Sequence, residues 1–344
     1  MLKLVCKIEI TGKDNKKISF DYVNEIQVKT SIRNLTDTAV LKVPKKISWR
    51  EKPLTDFVER NNAITIQAGY ENYPFETIFK GYISNVENSY PLVINCENEM
   101  HLFKTINVEA QKIEKFDLKA FVEKYARVEV VTTGTVTFGT MDITDDMTLA
   151  QALDAIMQKY PYVKGYFQDG KFYAVFGTVP SAGKTPTLFS PERNMISDNL
   201  KYTIAEDIKI GIKAVSILRD NTQLEAYAPL QAFNSKADKT GKITRTIKNS
   251  YEQRQFFNPN CRTQKELQNF ADKLAAEWVT DKMDGTITAF GVPFVRKGDI
   301  IMLKDADRAE RNGKRFVAEA VDYSFGTSGY RQTITLGNEL HFNF

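Results

Sequence analysis

The sequence Asn98-Glu99-Met100-His101-Leu102 returns near the carboxyl end as Asn338-Glu339-Leu340-His341-Phe342. These two places hold the only 2 histidines in a chain of 344 residues. A repeated segment that carries so rare a residue suggests that part of the chain is duplicated. Short alternating strands also resemble one another by chance, so a coincidental match is the alternative.

The apolar residues that precede each segment also match. Ile64 and Ile66 correspond to Ile301 and Leu303, Phe79 to Phe316, and Ile94 and Cys96 to Ile334 and Leu336. This alignment adds three residues to the turn of the second copy. Each copy then predicts a strand, a loop, a long strand, a turn and a further strand. The sequence therefore predicts one β-fold that occurs twice, arranged as a ring or a pair of barrels.

Alternating polarity predicts β-strands through the first third of the chain. Strands are predicted at residues 4–10, 25–31, 38–43, 63–68, 77–87 and 92–97. The turn residues at 12–17 make the first strand part of an opening hairpin. Gly81, inside the long strand, indicates a bulge or a sharp bend. Strands this short and regular favour a small antiparallel barrel or sandwich.

The middle of the chain changes to helical spacing. Asp117 is a suitable cap for a helix that begins at Leu118. Thr148 and Gln151 form a capping box for a second helix, which must end before Pro161. Residues 162–167 and 171–176, joined by Gln168-Asp169-Gly170, then predict a hairpin. Residues 177–199 are rich in Pro, Ser, Gly and Thr, which predicts an exposed connector.

The last third of the chain returns to strand patterns around one helix. Thr263 and Glu266 form a capping box for a helix at residues 263–281, which we expect to pack on the second barrel. Its apolar stripe consists of Leu267, Phe270, Leu274 and Trp278. Strands are predicted at residues 202–218, 242–249, 286–290, 299–303, 315–325 and 331–336.

The predicted fold class is mainly β with an α+β insertion, in which two similar antiparallel β-barrel domains flank a small α+β domain. Residues 1–115 form the first barrel, residues 116–199 the α+β domain and connector, and residues 200–344 the second barrel with its helix. A chain of 344 residues is long enough for two or three such domains.

Composition indicates a folded globular protein whose charge is spread along the chain. Hydrophobic residues make up 42% and charged residues 26%, and the net charge of +4 indicates no dedicated nucleic-acid surface. Cys6, Cys96 and Cys261 predict buried free thiols. Lys3 and Lys7 interrupt any apolar signal core, and nowhere do eighteen apolar residues run together. We therefore expect synthesis and assembly in a cytoplasm and no membrane insertion.

Spacing argues against sites for nucleotides, metals and thiol chemistry. Gly177 and Gly183-Lys184-Thr185 resemble a phosphate-binding loop, but five residues separate the glycines instead of four, and Pro186 prevents the helix that such a loop needs. His101 and His341 have no second ligand at metal-binding spacing, and Cys261 matches no nucleophile signature.

Two further groups have simple structural explanations. Asp145-Asp146 and Asp305 with Asp307 lie in polar turns, where solvated carboxylates are ordinary. Cations and aromatic residues mix near residue 250, as in surfaces that bind single-stranded nucleic acid, but a strand with one solvated face is the favoured interpretation. That group is Lys242, Arg245, Lys248, Arg254, Tyr251, Phe256 and Phe257. We assign no catalytic residue, no cofactor and no metal ligand.

Several segments resemble a known family. Residues 78–86 (IFKGYISNV) and 91–96 (PLVINC) resemble the first barrel of phage tail baseplate hub proteins. The last barrel of that family is similar to the segments GVP at 291–293, KGDI at 297–300, NGKRFV at 312–317 and GYRQTITLG at 329–337. The family includes late control protein D of contractile tails and the hub part of type VI secretion spike proteins. The resemblance covers nearly the whole chain, through the order of its segments.

The resemblance implies a structural, non-enzymatic protein of a phage or prophage virion tail. It implies a homotrimer that joins the six-fold tail tube to the three-fold central spike and forms a channel. The α+β domain would extend towards the spike. Implied partners are the tube, spike, tape-measure and baseplate wedge proteins, with DNA present only in transit. Because the chain ends at Phe344, directly after the second barrel, the spike is expected to be a separate chain.

Three alternatives stay open on the sequence. A tail-associated cell-wall or polysaccharide hydrolase would share the β-rich composition. A receptor-binding or glycan-binding tail-tip module would use Tyr70, Tyr73, Phe75 and Tyr90 near loops. The hub role could also belong to a flexible-tailed phage or to a secretion apparatus related to tails.

Overall fold

The computed structural model describes residues 3–12, 15–44, 48–49, 52–54, 57–114, 116–132, 137–138, 141–143, 147–159, 163–176, 185–218, 222–237, 243–258, 261–278 and 282–340. In the first third, the elements are β1 Leu4–Thr11, β2 Lys17–Phe20, β3 Glu25–Ser31, β4 Thr38–Val43, β5 Ser48–Trp49, β6 Lys52–Pro53, β7 Ala63–Tyr70, β8 Glu76–Glu87, β9 Leu92–Glu97 and α1 Met100–Phe103. In the middle, they are β10 Gln111–Ile113, β11 Phe116–Asp117, α2 Leu118–Tyr125, β12 Val130–Thr132, β13 Thr137–Phe138, β14 Met141–Ile143, α3 Leu149–Lys159, β15 Val163–Gln168 and β16 Lys171–Phe176.

The remaining elements are β17 Thr187–Phe189, β18 Met195–Asp198, β19 Lys201–Thr203, β20 Ile210–Ile217, β21 Gln223–Ala228, β22 Phe233–Ala237, β23 Ile243–Ile247, β24 Glu252–Phe257, α4 Gln264–Trp278, β25 Lys282–Asp284, β26 Thr286–Phe290, β27 Ile300–Leu303, β28 Arg315–Gly326 and β29 Gly329–Glu339. Strands dominate and helices are few, which confirms the predicted fold class. No helix among the described residues has the length and apolar character needed to cross a membrane.

The chain divides into two compact units. One contains Met1–Leu200 and Gly285–Phe344, and the other contains Lys201–Asp284. The division into three domains at residues 115 and 199 stays a prediction.

One large sheet dominates the first unit. Its strand order is β18-β26-β29-β28-β3-β4-β9-β8-β7-β1-β2, while β27 pairs with β28 and β17 pairs with β27. Alternate residues of β1, β4 and β9 are buried, as the sequence alternation predicts. The sheet combines strands from both ends of the chain.

The duplication is visible in the strand order. Neighbours in the first copy run β1-β7-β8-β9-β4-β3, and neighbours in the second run β17-β27-β28-β29-β26-β18. The paired strands occur in the same sequence order in both copies. One difference is that β1 pairs with β7 antiparallel, whereas β17 pairs with β27 parallel.

The register of the strands also repeats. Ile83 pairs with Cys96 and Val86 with Ile94, as Ala318 pairs with Leu336 and Val321 with Ile334. Corresponding residues of the two copies thus differ in number by 235 in the long strands β8 and β28, and by 240 in the following strands β9 and β29. Each ladder carries a bulge at the same place, with the extra residue at Ser84 or at Glu319. Because a one-residue slip would reverse both faces, this agreement is strong evidence for duplication.

The ladders correct one part of the sequence alignment. The difference of 235 along the long strand places Phe316 at the position of Gly81, so the expected match between Phe79 and Phe316 is wrong. Ile301 pairs with Phe316 as Ile64 pairs with Gly81, so Ile64 does correspond to Ile301. The second copy gains five residues in its hairpin, the difference between 235 and 240, instead of three. Two similar aromatic residues misplaced the alignment by two positions.

Gly81 lies where β8 leaves β7 and begins to pair with β9. The predicted bulge is not at Gly81 itself: β8 carries one extra residue on each side of it, Ile78 against β7 and Ser84 against β9. Gly81 instead permits close packing, since a Cβ atom at this position would overlap the carbonyl oxygen of Glu97.

The α+β region follows its sequence signals. The Asp117 carboxylate accepts a hydrogen bond from Ala120 N at 2.9 Å and caps α2. Thr148 and Gln151 bond reciprocally, at 2.8 and 3.3 Å, as a capping box for α3. The hairpin β15-β16 turns at Asp169 and Gly170, both with positive φ, which is a tight two-residue turn. Its core is formed by residues of α1, α2, α3, β15 and β16.

The second unit packs α4 on the sheet β21-β20-β24. Leu267, Ala271 and Ala275 form the buried face of α4. The predicted stripe is confirmed in part, since Phe270 and Leu274 also pack against this core beside Leu267. Trp278 lies 6.1 Å from Phe256 between ring centres. The predicted helix end at residues 279–281 lies outside the described residues.

We predict that Gly81→Ala lowers the free energy of unfolding by more than about 2 kcal/mol, because the added methyl group must displace the backbone of β9. Urea denaturation followed by circular dichroism measures the change. Gly337→Ala is the control, since Gly337 occupies the position of Glu97, where the first copy already carries a side chain, and its loss should stay below about 1 kcal/mol. Equal losses in the two variants would contradict this account.

Candidate functional site

The two copies are joined inside the chain by a strand ladder. Strand β3 of the first copy pairs with β28 of the second, from Ser31 opposite Ala320 to Glu25 opposite Gly326. Ile32 N donates to Glu319 O at 2.9 Å and continues the ladder to the bulge residue. Arg33 forms an ion pair with the Glu319 carboxylate at 2.6 Å. The bulge of the second copy therefore receives both a main-chain and a side-chain contact from the first copy.

A buried ion pair lies at the end of this ladder. Lys297 Nζ donates to Asp37 Oδ2 at 2.5 Å, and the two side chains are only 5% and 9% exposed. Lys297 also donates to Ser31 O at 3.3 Å, while Asp37 Oδ1 accepts from Ser31 N at 3.1 Å. Burial raises the pKa of the Asp37 carboxyl and lowers the pKa of the Lys297 ammonium, and each charge opposes the shift of the other. Removal of either partner would leave an unpaired buried charge.

The repeated segment identified in the sequence supports this joint. Asn98 N donates to Asp37 O at 3.1 Å, and Asn98 Nδ2 donates to Leu35 O at 3.0 Å. Asn98 Oδ1 accepts from Met100 N at 3.2 Å, at the start of α1. The role of Asn98 is therefore structural, and its sequence signal was the duplicated segment itself.

His101 is a buried structural residue. Its Nε2 lies 2.7 Å from Asn61 Oδ1, and its Nδ1 lies 3.7 Å from Glu97 Oε2. Burial lowers the pKa of His101, against the opposing charge of Glu97. Among the described residues, no group of three or more His, Cys, Asp or Glu could hold a metal ion. His341 lies outside the described residues.

A small cavity adjoins the ion pair. It has a volume of about 80 Å³ and is lined in part by Asp37, Glu99, Asp169, Arg296 and Lys297. Arg296 forms an ion pair with Asp169 at 3.2 Å. A space of this size holds a few waters, whereas ligand pockets usually measure roughly 300–1,000 Å³. Two ion pairs in so small a space, Asp37 with Lys297 and Asp169 with Arg296, are typical of a structural joint, and burial raises the pKa of the Glu99 carboxyl beside them.

A wider cleft lies beside the cavity. It measures about 410 Å³ and is lined in part by Asp169, Tyr173, Thr187, Arg296 and Asp299. Both carboxylates are engaged, Asp169 with the Arg296 guanidinium and Asp299 with Arg296 N at 2.8 Å. The cleft therefore has the size of a ligand site, but its acidic groups are engaged in contacts with Arg296.

The other acidic and thiol candidates are also structural. Arg311 bonds Asp305 and reaches Asp198 at 3.0 Å. Burial acts to raise the pKa of Asp305, but the Arg311 guanidinium and backbone amides outweigh it, so that pKa lies below its ordinary value, opposite to what a general acid requires. Burial raises the pKa of Cys261, which disfavours the thiolate that a nucleophile needs. Cys6, Cys96 and Cys261 are buried and free, as predicted.

The structure separates the predicted cation and aromatic group. Phe256 packs against the core under α4, while Tyr251 packs against a different cluster with Phe233. The Arg254 guanidinium lies 4.8 Å from the ring centre of Trp278, and that of Arg245 lies 5.5 Å from the ring centre of Tyr227. The rings of Trp278 and Tyr227 are thus occupied by cations of the predicted group, while Phe257 is exposed by 51%. Because its aromatic residues divide between two clusters, the group is disfavoured as a nucleic-acid stacking surface. Lys242 lies outside the described residues.

The remaining sequence candidates have mixed outcomes. Tyr70 is a core residue whose hydroxyl donates to Tyr330 O at 2.9 Å, so it cannot form part of a surface glycan site. Tyr73, Phe75 and Tyr90 are exposed by 48%, 38% and 79%. The residues of the loop at 177–184, the pair Asp145-Asp146 and His341 lie outside the described residues.

Solved structures with this fold include phage tail proteins. A tail protein from Neisseria meningitidis MC58 matches with a TM-score of 0.67 and 11% identity, over 98% of this chain and 97% of the other. The 43 kDa tail protein of prophage MuSo2 from Shewanella oneidensis matches with a TM-score of 0.61 and 11% identity, over 96% and 97%.

This chain has the fold of phage tail proteins. The E. coli protein c3393, described as a type VI secretion component similar in structure to the T4 tail proteins gp27 and gp5, matches with a TM-score of 0.52 and 10% identity, over 96% of this chain and 76% of the other. No protein-family model and no curated sequence matches the chain. The resemblance to tail hub proteins predicted from the sequence is thus confirmed at the level of the fold.

We predict that Lys297→Met lowers the free energy of unfolding by about 3–5 kcal/mol, because Asp37 is left buried without a counter-charge. Adding Asp37→Asn to that variant should recover part of the loss. Urea denaturation of the two single variants and the double variant measures the coupling. Lys171→Met, which breaks an exposed pair with Glu129 at 2.8 Å, is the control and should cost less than about 1 kcal/mol. Additive losses for Lys297 and Asp37 would contradict a coupled joint.

We also predict a pH dependence that comes from His101. Its folded pKa lies below the ordinary 6.5, so the unfolded chain binds more protons and His101 lowers stability as the pH falls through that value. Glu97 faces the ring and opposes the shift, while Arg60 and Lys104 add to it. His101→Gln should reduce the slope of unfolding free energy against pH between about pH 7 and pH 5. Parallel profiles for the variant and the natural chain would refute this assignment.

Proposed function

We propose that this protein is the structural baseplate hub of a phage or prophage tail. It acts as a homotrimeric adaptor between the six-fold tail tube and the three-fold central spike, and the trimer surrounds a channel. The observation that carries the proposal is the duplicated strand set, with the same order, the same register and the same bulge. Three chains with two copies each supply six near-equivalent surfaces, which a three-fold ring of unduplicated chains cannot do.

The proposed mechanism is geometric. Each copy contacts one tube subunit, and the ladder between β3 and β28 fixes the spacing of the two copies within a chain. Tube, spike, tape-measure and baseplate wedge proteins are the proposed partners, and DNA passes through the channel in transit. The fold shared with c3393, described as a type VI secretion component similar in structure to the T4 tail proteins gp27 and gp5, supports a place in a tail or a related apparatus. Assembly in the bacterial cytoplasm and a final place in the virion tail follow from this role.

The proposal includes no enzymatic activity. The neighbours in fold include tail proteins, and two carboxylates of the described cavities, Asp169 and Asp37, are paired with Arg296 and Lys297. A late control protein D type of hub in a contractile injection system is the form that the sequence resemblance favours. A hub of a flexible tail or of a secretion apparatus would use the same duplicated geometry.

The mass of the purified protein in solution tests the proposal. Light scattering should give three times the chain mass of 39.2 kDa, and a mixture with tail tube protein should contain three hub chains for every six tube chains. Electron microscopy of the complex should show three-fold particles with a six-fold rim. A single hub chain per complex, or a two-fold particle, would overturn the adaptor model.

A further inference from the structure

The joint inside the chain shows what a joint between chains would need. In the ladder between β3 and β28, Lys29 lies opposite Asp322, Thr30 opposite Val321 and Ser31 opposite Ala320. The Thr30 hydroxyl also donates to Val321 O at 2.8 Å. A ring of near-equivalent copies would repeat this joint wherever one copy follows another.

The first half of the repeated joint is the counterpart of β3 in the second copy. Glu25 and Ile26 pair with Lys42 and Leu41, as Ser197 and Asp198 pair with Thr288 and Ile287. Corresponding residues therefore differ in number by 172 between β3 and β18, and by 246 between β4 and β26.

The same differences continue into β19 and β25. Lys201 pairs with Asp284 as Lys29 pairs with Thr38. Lys201 follows Lys29 by 172 residues and Asp284 follows Thr38 by 246 residues, the same differences as in β18 and β26. Lys201, Tyr202 and Thr203 are thus the counterparts of Lys29, Thr30 and Ser31. Lys201 is exposed.

The second half of the joint is the counterpart of β28 in the first copy. Through the difference of 235, Asn85, Val86 and Glu87 correspond to Ala320, Val321 and Asp322. These three residues pair with β9 on one side. Within the described part of the chain, no strand pairs with their other side, which is the side that β3 occupies in the second copy. Glu87 is exposed.

We propose that a second copy of this chain adds its β19 to this open side of β8. Lys201 then lies opposite Glu87, Tyr202 opposite Val86 and Thr203 opposite Asn85, in an antiparallel ladder. The opposite charges of Lys201 and Glu87 reproduce those of Lys29 and Asp322 in the joint that is present. The two surfaces differ, so the contact is head-to-tail, and in the proposed trimer it closes after three chains. This inference rests on the proposed trimer and names the surface that forms it.

The ladder between chains is shorter than the ladder within the chain. β28 pairs with β3 over seven residues, Ala320 to Gly326, whereas only Asn85, Val86 and Glu87 have counterparts before the β8–β9 turn begins. Three ladder pairs bury less area than a stable interface of roughly 1,600 Å² requires. The edge therefore sets the register of neighbouring chains, and other surfaces of the trimer supply the rest of the contact.

Cysteine cross-linking tests the edge. The full chain carrying Glu87→Cys and Lys201→Cys, oxidised at concentrations where light scattering shows the trimer, should form dimers and trimers on a denaturing gel and nothing larger. Native thiols should not interfere, because Cys6, Cys96 and Cys261 are buried. Lys29→Cys with Asp322→Cys is the positive control and should form a bond within one chain. Glu87→Cys with Lys119→Cys, which places the second thiol on α2, is the negative control.

The outcomes separate this edge from the proposed function. A trimer without the cross-link overturns the edge and leaves the hub model standing. Cross-links that extend beyond three chains support the edge and contradict a three-fold hub. A chain that neither associates nor cross-links at any concentration contradicts both.

Charge exchange gives a second measurement. Glu87→Lys and Lys201→Glu should each weaken association of the trimer at least about threefold, because like charges then lie opposite each other. The double variant, which restores opposite charges with reversed polarity, should return to within about twofold of the natural chain. Equal weakening in the double variant would overturn the pairing.

Discussion

Main-chain hydrogen bonding between β3 and β28 is the constraint on which the first unit depends. The two strands belong to different copies of one fold, and their ladder converts the copies into a single sheet. Side chains alternate across a sheet, so the joint can form in only one register without turning buried residues such as Ile26 and Tyr323 towards solvent. The bulge at Glu319 increases the local bend of β28 and receives Ile32 and Arg33 from the partner copy. The bulge at Glu319 and the ladder between β3 and β28 therefore act together to hold the two copies in one register.

The buried pair of Lys297 and Asp37 acts on the same joint in a different way. Desolvation of two charges makes a poor source of net stability, but a lone buried charge is so unfavourable that alternative arrangements are excluded. Lys297 comes from the second copy and Asp37 from the first, and both bond Ser31 at the end of the ladder. The pair therefore disfavours any register in which the two copies slide along each other. The main-chain hydrogen bonds therefore stabilise the joint between the copies, and the ion pair disfavours other registers.

The sequence predicted the features that local periodicity encodes. Alternation located most strands, capping residues located α2, α3 and α4, and the segment around His101 revealed the duplication. The match of Phe79 to Phe316 was wrong because both residues are phenylalanine and lie near each other in the two strands. The structure places Phe316 at the position of Gly81, two residues further along. The ladder between residues 25–31 and 320–326 was not predicted, since strands so distant in sequence carry no local signal of their pairing. The buried face of α4 was predicted in part: Leu267 is buried and Phe270 and Leu274 pack on the same core, but Ala271 and Ala275 were missed, because alanine is a weak marker of burial.

Unequal length in the two copies has a physical consequence for assembly. The second copy carries five extra residues in its hairpin, and these extend β28 along β3, whereas β8 ends at Glu87. A joint within the chain is held at high effective concentration and forms during folding, so its long ladder is never exposed as an open edge. The proposed joint between chains must stay available until its partner arrives, and a long open edge would then pair with any exposed strand. In the proposed joint, the short edge of β8 carries Glu87 and the β19 of the next chain carries Lys201, which limits such pairing because wrong partners meet an unmatched charge. The asymmetry between the copies is thus consistent with joints that differ in strength but share one register.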